Sequence, residues 1–545
     1  MRKSLTNKVL ILGIDGMDPH VTKKYLKQGK MPNVQKYIER GSCREDLVML
    51  GGLPTGTPPM WTTLATGCNP NVHGITCFNR ASEKGLDYTV YNLDSRNCYA
   101  EPLWNVFAEK GKKTLVWHWP GSSWPPTSDS PNLHVVDGTQ PCTVNMGVAE
   151  REPDFLIVAD KTETEVTYRS KVSEVEAPCT VTDLEVEKKE KEGRYGEQNI
   201  LLTEKDGSAG FVLFQSFETS VSPIKPASGW ANAPEDAKEF ILLFSHGNVR
   251  RMGLILKNNQ GIYEKVAIYK SKKDTDPITV LDKNVLVKNI IDESIKNDVK
   301  YNVSRNMRML DLEEDGSKLR IWVSAAMDIN VDSVFHPKRL YKSVVDNVGY
   351  PPGRSTTHAY DPVIVTNCML AEWDAIADWQ AASIQHLIAE EEYDVIFSHL
   401  HNVDAQLHSF VRFLKPREGF EKLTTAMAEK FLEDVYVQTD NYLGKFLHYL
   451  DEGWTVFIIS DHALVCAEHE RPQLGDGVGI NIGVMRELGF TEVLKDANGN
   501  DIKAIDWSKT KAIASRANHI YINLKGRDAH GIVEPEDKYE LEEEI

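Results

Sequence analysis

Residues 9–16 read VLILGIDG, an unbroken run of apolar residues and one glycine that stops at an aspartate. A short continuous apolar run bounded by turn-forming residues suits a strand buried on both faces, as parallel strands are. Two later stretches share the design. Residues 395–404, VIFSHLHNVD, pass from apolar residues into Ser398, His399 and then Asp404. Residues 454–462, WTVFIISDH, end in Ser460, Asp461 and His462. Around them, residues 33–40, 373–390 and 418–450 carry helical spacing with few breakers. Strands alternating with helices predict an α/β fold, a mostly parallel sheet sandwiched by helices. Ligands of such sheets collect beyond the carboxyl ends of the strands. Here three of those ends carry carboxylates, two of them with histidines.

The middle of the chain reads differently. Residues 151–340 are rich in Val, Thr, Lys and Glu, with alternating stretches at 165–168, 210–214 and 265–269. Turn signals stand at Asp206–Gly207, Asn258–Asn259 and Asp315–Gly316. This segment is expected to be a β-rich inserted domain between two halves of the α/β core, residues 1–150 and 341–545. The charge run at 187–194, EKKEKEGR, is read as a solvated loop. No internal repeat is evident.

At 545 residues the chain is too long for one simple core, and 41% apolar residues with eleven tryptophans permit large ones. A net charge of −18 argues against binding duplex nucleic acid through its phosphates. It leaves room for a small phosphorylated substrate, because a bound metal dominates the local field. The eight cysteines, at 43, 68, 77, 98, 142, 179, 368 and 466, include no CxxC pair. They are read as reduced thiols of a cytoplasmic protein. The run at 9–14 is too short to span a membrane and ends in aspartate rather than a small-residue cleavage site. No membrane association is expected.

Residues 53–75 read LPTGTPPMWTTLATGCNPNVHGI. Prolines 58 and 59 suit the first turn of a helix, which places Thr57 at a helix N-terminus, where free N–H groups and the dipole favour anions. A hydroxyl held there on a metal becomes a nucleophile. Thr57 as a simple N-cap is the plain alternative, and Thr55 competes for either role. Asp404 and His408, four apart, share one helix face and can share a divalent ion. Asp461 and His462 can both enter one site where the chain turns after a strand. Asp15 has the same placement, with Asp18 as its rival. Two ions roughly 3.5–4 Å apart can clamp the attacking and leaving oxygens of an in-line phosphoryl displacement.

In this order, IDG at 14–16, PTGTPP…TG…P..HGI at 54–75, DAQLH at 404–408 and SDH at 460–462 resemble the alkaline phosphatase superfamily, above all its type I phosphodiesterase/nucleotide pyrophosphatase branch. The resemblance covers roughly residues 1–150 and 340–530. It implies two divalent metal ions, zinc or manganese. One is held by Asp15, Thr57, Asp461 and His462, the other by Asp404, His408 and a late histidine. It further implies that Thr57 attacks phosphorus to give a phospho-threonine, which water activated at the second ion releases. Asn79 is the nearest match to an asparagine that holds a phosphate oxygen. The late histidine of that branch lies in a GDH-type segment that this sequence lacks, and His519 and His530 are the candidates. A phosphodiesterase or nucleotide pyrophosphatase is the leading expectation. The alternatives are a phosphomonoesterase, a phosphomutase, a phosphonate or sulfate ester hydrolase, or a binding protein on a decayed hydrolase scaffold. His399 and His401 are expected to orient ligands, and His73 to pack and hydrogen-bond. Residues 117–120, WHWP, are read as core or pocket lining, and Arg354 and His358 as possible phosphate contacts.

Overall fold

The apolar runs become adjacent strands. A computed structural model describes residues 6–44, 54–137, 149–169, 198–199, 202–203, 218–353, 364–410, 414–415, 424–463, 480–515 and 519–545. It divides into two units. The first comprises Met1–Gly51, Glu101–Val175 and Phe214–Ala467, the second Gly52–Ala100, Glu176–Leu213 and Glu468–Ile545. In the first unit, β1 (Lys8–Ile14), β2 (Thr114–Trp117), β3 (Leu133–Val136), β4 (Phe335–His336), β5 (Val395–Leu400) and β6 (Trp454–Ile459) form one sheet, ordered β4-β3-β2-β5-β1-β6. Every neighbouring pair is parallel except β3 with β4. The α/β character read from the sequence is therefore present. All six residues of β5 are buried, as an interior parallel strand requires. β6 ends the order and is only partly buried.

Six helices of this unit position the site: α1 (Pro19–Lys27), α2 (Pro32–Arg40), α3 (Leu103–Glu109), α4 (Leu370–Glu391), α5 (Asn402–Phe410) and α6 (Thr425–Gly444). Asp18 caps α1, accepting from the His20 and Val21 amides, with Pro19 in the first turn. Met31 cannot cap α2. The buried Asp440 of α6 does so from across the packing interface, accepting from the Asn33 and Val34 amides. The sequence reading of one long helix at 418–450 is corrected. Thr424 caps α6 by accepting from the Met427 amide, the helix ends at Gly444, and a separate 3₁₀ turn follows at Leu447–Leu450. Glycine is a weak helix former, and here a side chain would meet Asn33 of α2 at 2.7 Å.

Successive residues of β5 face opposite ways. Phe397 meets Trp104 and Phe107 of α3 and the neighbouring Trp119. Ser398 meets Tyr442 of α6, whose hydroxyl accepts from Gln380 of α4. Helices therefore contact the sheet from both faces.

Between β3 and β4 the chain builds two further sheets. The larger one has the spatial order 150–152, 326–328, 299–312, 318–323, 155–160, 219–223, 167–169, with 286–296 paired to 299–312. Asn297 and Asp298, both at positive φ, close that last hairpin in two residues. The second sheet is antiparallel and runs through 225–226, 238–244, 249–257, 263–269 and 279–282. Phe155, Ile157, Met309 and Ile321 of one sheet and Phe240, Leu242, Ile255 and Ile268 of the other share one apolar core. The expected turns at 258–259 and 315–316 lie between these strands. Those at 206–207, the stretch 210–214 and the charge run 187–194 fall outside the described residues.

The second unit holds the helix Thr57–Thr66 and small sheets whose core includes Leu86, Ile480, Ile482, Val493 and Ile513. Among the described residues no helix is long and apolar enough to cross a membrane.

Candidate active site

The sheet register fixes where the polar residues emerge. Gly13 of β1 lies beside His399 of β5 on one side and Ile459 of β6 on the other. The residues that follow the three strands therefore leave the sheet at one level. Gly16, at φ +71°, turns the chain straight after Asp15 and donates its amide to Asp461 Oδ1 at 3.2 Å. A Cβ on Gly16 would stand 3.0 Å from the Asp404 Cβ. Glycine is required here both by the left-handed backbone and by the close approach of α5. The Asp404 amide in turn donates to the Asp15 carbonyl at 3.2 Å.

Five residues singled out in the sequence converge in this way. His408 Nε2 is 2.9 Å from Asp404 Oδ2. His462 Nε2 is 3.1 Å from Asp461 Oδ2 and 3.6 Å from Asp15 Oδ1. Two histidines read only as orienting groups also touch Asp15 directly: His399 Nε2 and His401 Nδ1 each lie 2.9 Å from its Oδ2. His401 Nε2 is 3.3 Å from Asp404 Oδ2. The signal was present in their spacing, since residues two apart at a strand end share a side.

A model of the type I phosphodiesterase/nucleotide pyrophosphatase family matches residues 9–197 and 286–543. The chain belongs to this family. No curated protein and no solved structure matches it. Members of the type I phosphodiesterase/nucleotide pyrophosphatase family are phosphoric ester hydrolases and are generally metal-dependent. The interval left unmatched, 198–285, contains the five-stranded sheet of the insertion.

The donor set of this family member fits a cation. Asp15, Asp404 and Asp461 are 0%, 3% and 2% exposed, so three carboxylates share one dry pocket. Burial and the charges of the other two push Asp461 well above the usual carboxylate range. Its Oδ2 is buried and takes no in-line hydrogen bond, although His462 is near. Burial opposes ionisation of Asp15 as well, but the charge of His401 and the hydrogen bond from His399 hold it well below its ordinary value. Asp404 is also lowered: burial and the charge of Asp15 act against this, and His408 with His401 together outweigh them. Burial pushes His399 below its ordinary value despite its contact with Asp15, whereas in His401 burial is outweighed by Asp15 and Asp404, which raise it. Buried carboxylate oxygens beside imidazole nitrogens, with Asp461 Oδ2 lacking an in-line hydrogen bond, suit a divalent ion.

Buried amides hold the elements that carry these carboxylates and histidines in place. Gln380 Nε2 donates to the His399 carbonyl at 2.9 Å, and its Oε1 meets His118 Nδ1 at 3.2 Å. On α5, Asn402 donates to Thr439 Oγ1 (2.8 Å) and Gln406 to Gln438 Oε1 (2.7 Å). Gln438 itself donates to Asp374 of α4 at 2.9 Å. Sequence reading missed this network, because amides far apart along the chain leave no periodic trace.

The remaining candidates have these positions. Thr57, in the second unit, is the first residue of its helix and is buried; Gly56 occupies the N-cap, so Thr57 is not the cap. Thr55 is exposed and precedes the helix. Asn79 opens the strand Asn79–Ser82, and its side chain lies outside the described residues. His519 opens the strand His519–Ile522 and stacks on Tyr521, while His530 stacks on Trp507. His73 is buried between Thr63 Oγ1 and the Ile75 amide. Trp117, Trp119 and His118 are core, the first packed on Trp379 and the second on Trp104. Arg354 and His358 lie outside the described residues.

Proposed function

We propose that the protein cleaves phosphate diesters or nucleotide pyrophosphate bonds of a small phosphorylated substrate at a two-metal centre, with Thr57 as nucleophile, on an alkaline phosphatase-like scaffold. The observation that carries this reading is the convergence of Asp15, Asp404, His408, Asp461 and His462 at the carboxyl ends of three neighbouring parallel strands. The match to a family of phosphoric ester hydrolases supports it. Asp15, Asp461 and His462 hold one ion, with ligand atoms that all lie within 4.8 Å of one another. Asp404 and His408 serve the other. Bound divalent ions lower the pKa of hydroxyl groups and stabilise charge on the phosphoryl oxygens. The Thr57 hydroxyl gives its proton to solvent, its Oγ bonds to phosphorus, and the ester oxygen leaves with the bonding electrons and takes up a proton from solvent. Water then cleaves the phospho-threonine and restores the hydroxyl. Thr57 suits this role because amides of a helix N-terminus favour the anionic group transferred. The insertion, which contains the interval the family model leaves unmatched, selects the substrate.

The test is hydrolysis of bis(para-nitrophenyl) phosphate with manganese or zinc, with and without chelator, beside the para-nitrophenyl monoester. Diester cleavage that vanishes with chelator and in Thr57→Ala is expected. Metal-independent turnover, or full activity in Thr57→Ala, defeats the proposal; a preference for the monoester moves it to the phosphomonoesterases.

A further inference from the structure

We propose that His399 and His401, together with Asp15, form one of the two cation positions, and that Asp15 bridges it to the position made with Asp461 and His462. This rests on the two-metal reading of the proposed function and reassigns its second position, with Asp404 and His408 standing outside the ion and Asp404 orienting His401. The ligand atoms of Asp15, His399 and His401 all lie within 4.8 Å of one another, as do those of Asp15, Asp461 and His462. Only Asp15 belongs to both groups. Its two oxygens divide between them: Oδ2 holds His399 Nε2 and His401 Nδ1 at 2.9 Å each, and Oδ1 faces His462. A carboxylate with one oxygen toward each of two nitrogen groups has the disposition of a bridging ligand.

The chemistry of His401 favours a ligand over an outer orienting group. Its side chain is 8% exposed, and Nδ1 takes no in-line hydrogen bond even though Asp15 Oδ2 is 2.9 Å away. Asp404 Oδ2 stands at 3.3 Å from the other ring nitrogen. A carboxylate beside the second ring nitrogen is the arrangement by which proteins orient histidines for metals. Around a tetrahedral ion with bonds of about 2.1 Å the donor atoms stand about 3.4 Å apart. The two carboxylate–imidazole separations of 2.9 Å need open by only about half an ångström. They are also held rigidly: β5 is interior to the sheet, and Gln380 fixes the His399 carbonyl. These two histidines supply, from the middle of the chain, imidazoles that would otherwise have to come from a late segment such as that of His519.

The full chain is stripped with chelator and titrated with Zn²⁺, and then with Co²⁺, following stoichiometry, affinity and the visible Co²⁺ spectrum. Wild type is expected to take two equivalents. His399→Gln and His401→Gln should each weaken one equivalent by more than about 100-fold, beyond the 10–100-fold loss that misorientation of a ligand gives. The Co²⁺ band of that equivalent should change in each. Thermal unfolding of the metal-free forms checks the fold, and His401→Asn stands in should His401→Gln not fold. Two equivalents with unchanged Co²⁺ spectra in the His399 and His401 variants overturn this inference alone, most directly if His519→Gln loses an equivalent instead. Wild type that binds no divalent ion overturns the proposed function with it.

Discussion

Replacing Glu372 with glutamine should stabilise the protein, and the gain should grow with pH. Glu372, on α4, is completely buried, and both carboxylate oxygens face Asn306 Nδ2, at 2.8 and 2.9 Å. Burial pushes its pKa up to about 8; Asn306 pulls the other way, Asp154 adds to the rise and Lys288 opposes it. The unfolded chain ionises this group near 4.5. Below that pH both states hold the proton and the group contributes nothing. Between 4.5 and about 8 the folded chain keeps a proton that the unfolded chain has released. Stability therefore falls by about 1.4 kcal/mol per pH unit, reaching about 3 kcal/mol at pH 7, and levels off above pH 8. Glutamine resembles the protonated acid at every pH and removes this slope. Unfolding of Glu372→Gln and wild type is compared from pH 5 to 9 by calorimetry or denaturant titration. The two should coincide near pH 5 and separate to a few kcal/mol by pH 8. A gap that does not change with pH, or a variant less stable throughout, would show that Glu372 is ionised in the folded state and would refute the reasoning.

Three further outcomes follow from the same contacts. Gly16→Ala combines a left-handed backbone, costing about 1–2 kcal/mol, with a Cβ pressed on Asp404, so divalent-ion affinity measured by calorimetry should drop while the chain still folds. Arg305, in the 299–312 strand of the larger insertion sheet and fully buried against Glu152, should cost about 3–5 kcal/mol on change to Met, because Glu152 is left as a buried charge; Arg305→Met/Glu152→Met should cost less than Arg305→Met alone, which denaturant titration measures. Gln380→Leu leaves the His399 carbonyl and His118 without their partner, so Zn²⁺ affinity should fall about 10-fold or more, whereas Gln385→Leu on the exposed side of the same helix should leave it unchanged.

The core was legible because its strands are buried on both faces and so read as plain apolar runs at residues 9–14, 395–397 and 454–459. The site was legible where spacing encodes proximity: Asp404 with His408 by one helical turn, and Asp15 with Asp461 and His462 by equivalent strand ends. His399 and His401 were read as orienting groups, but their direct contact with Asp15 was not foreseen, because sequence gives the side a strand residue faces and not the distance to the neighbouring strand. The strand order of the insertion was beyond reach. Pairings such as 155–160 with 318–323 depend on contacts more than 150 residues apart, and alternation fixes a face without fixing a partner. The helix boundary at Gly444 escaped for a related reason, since it follows from the approach of Asn33 to α6.

α4 touches two places of different character: Glu372 is fastened to Asn306 in the larger insertion sheet, and Gln380 to the backbone of β5. Eight residues of helix separate these anchor points, a rod of roughly 12 Å. One helix thus joins the larger insertion sheet to the backbone of the strand that carries His399. A change at Asn306 is expected to shift the His399 carbonyl contact, which hydrogen exchange of β5 would report.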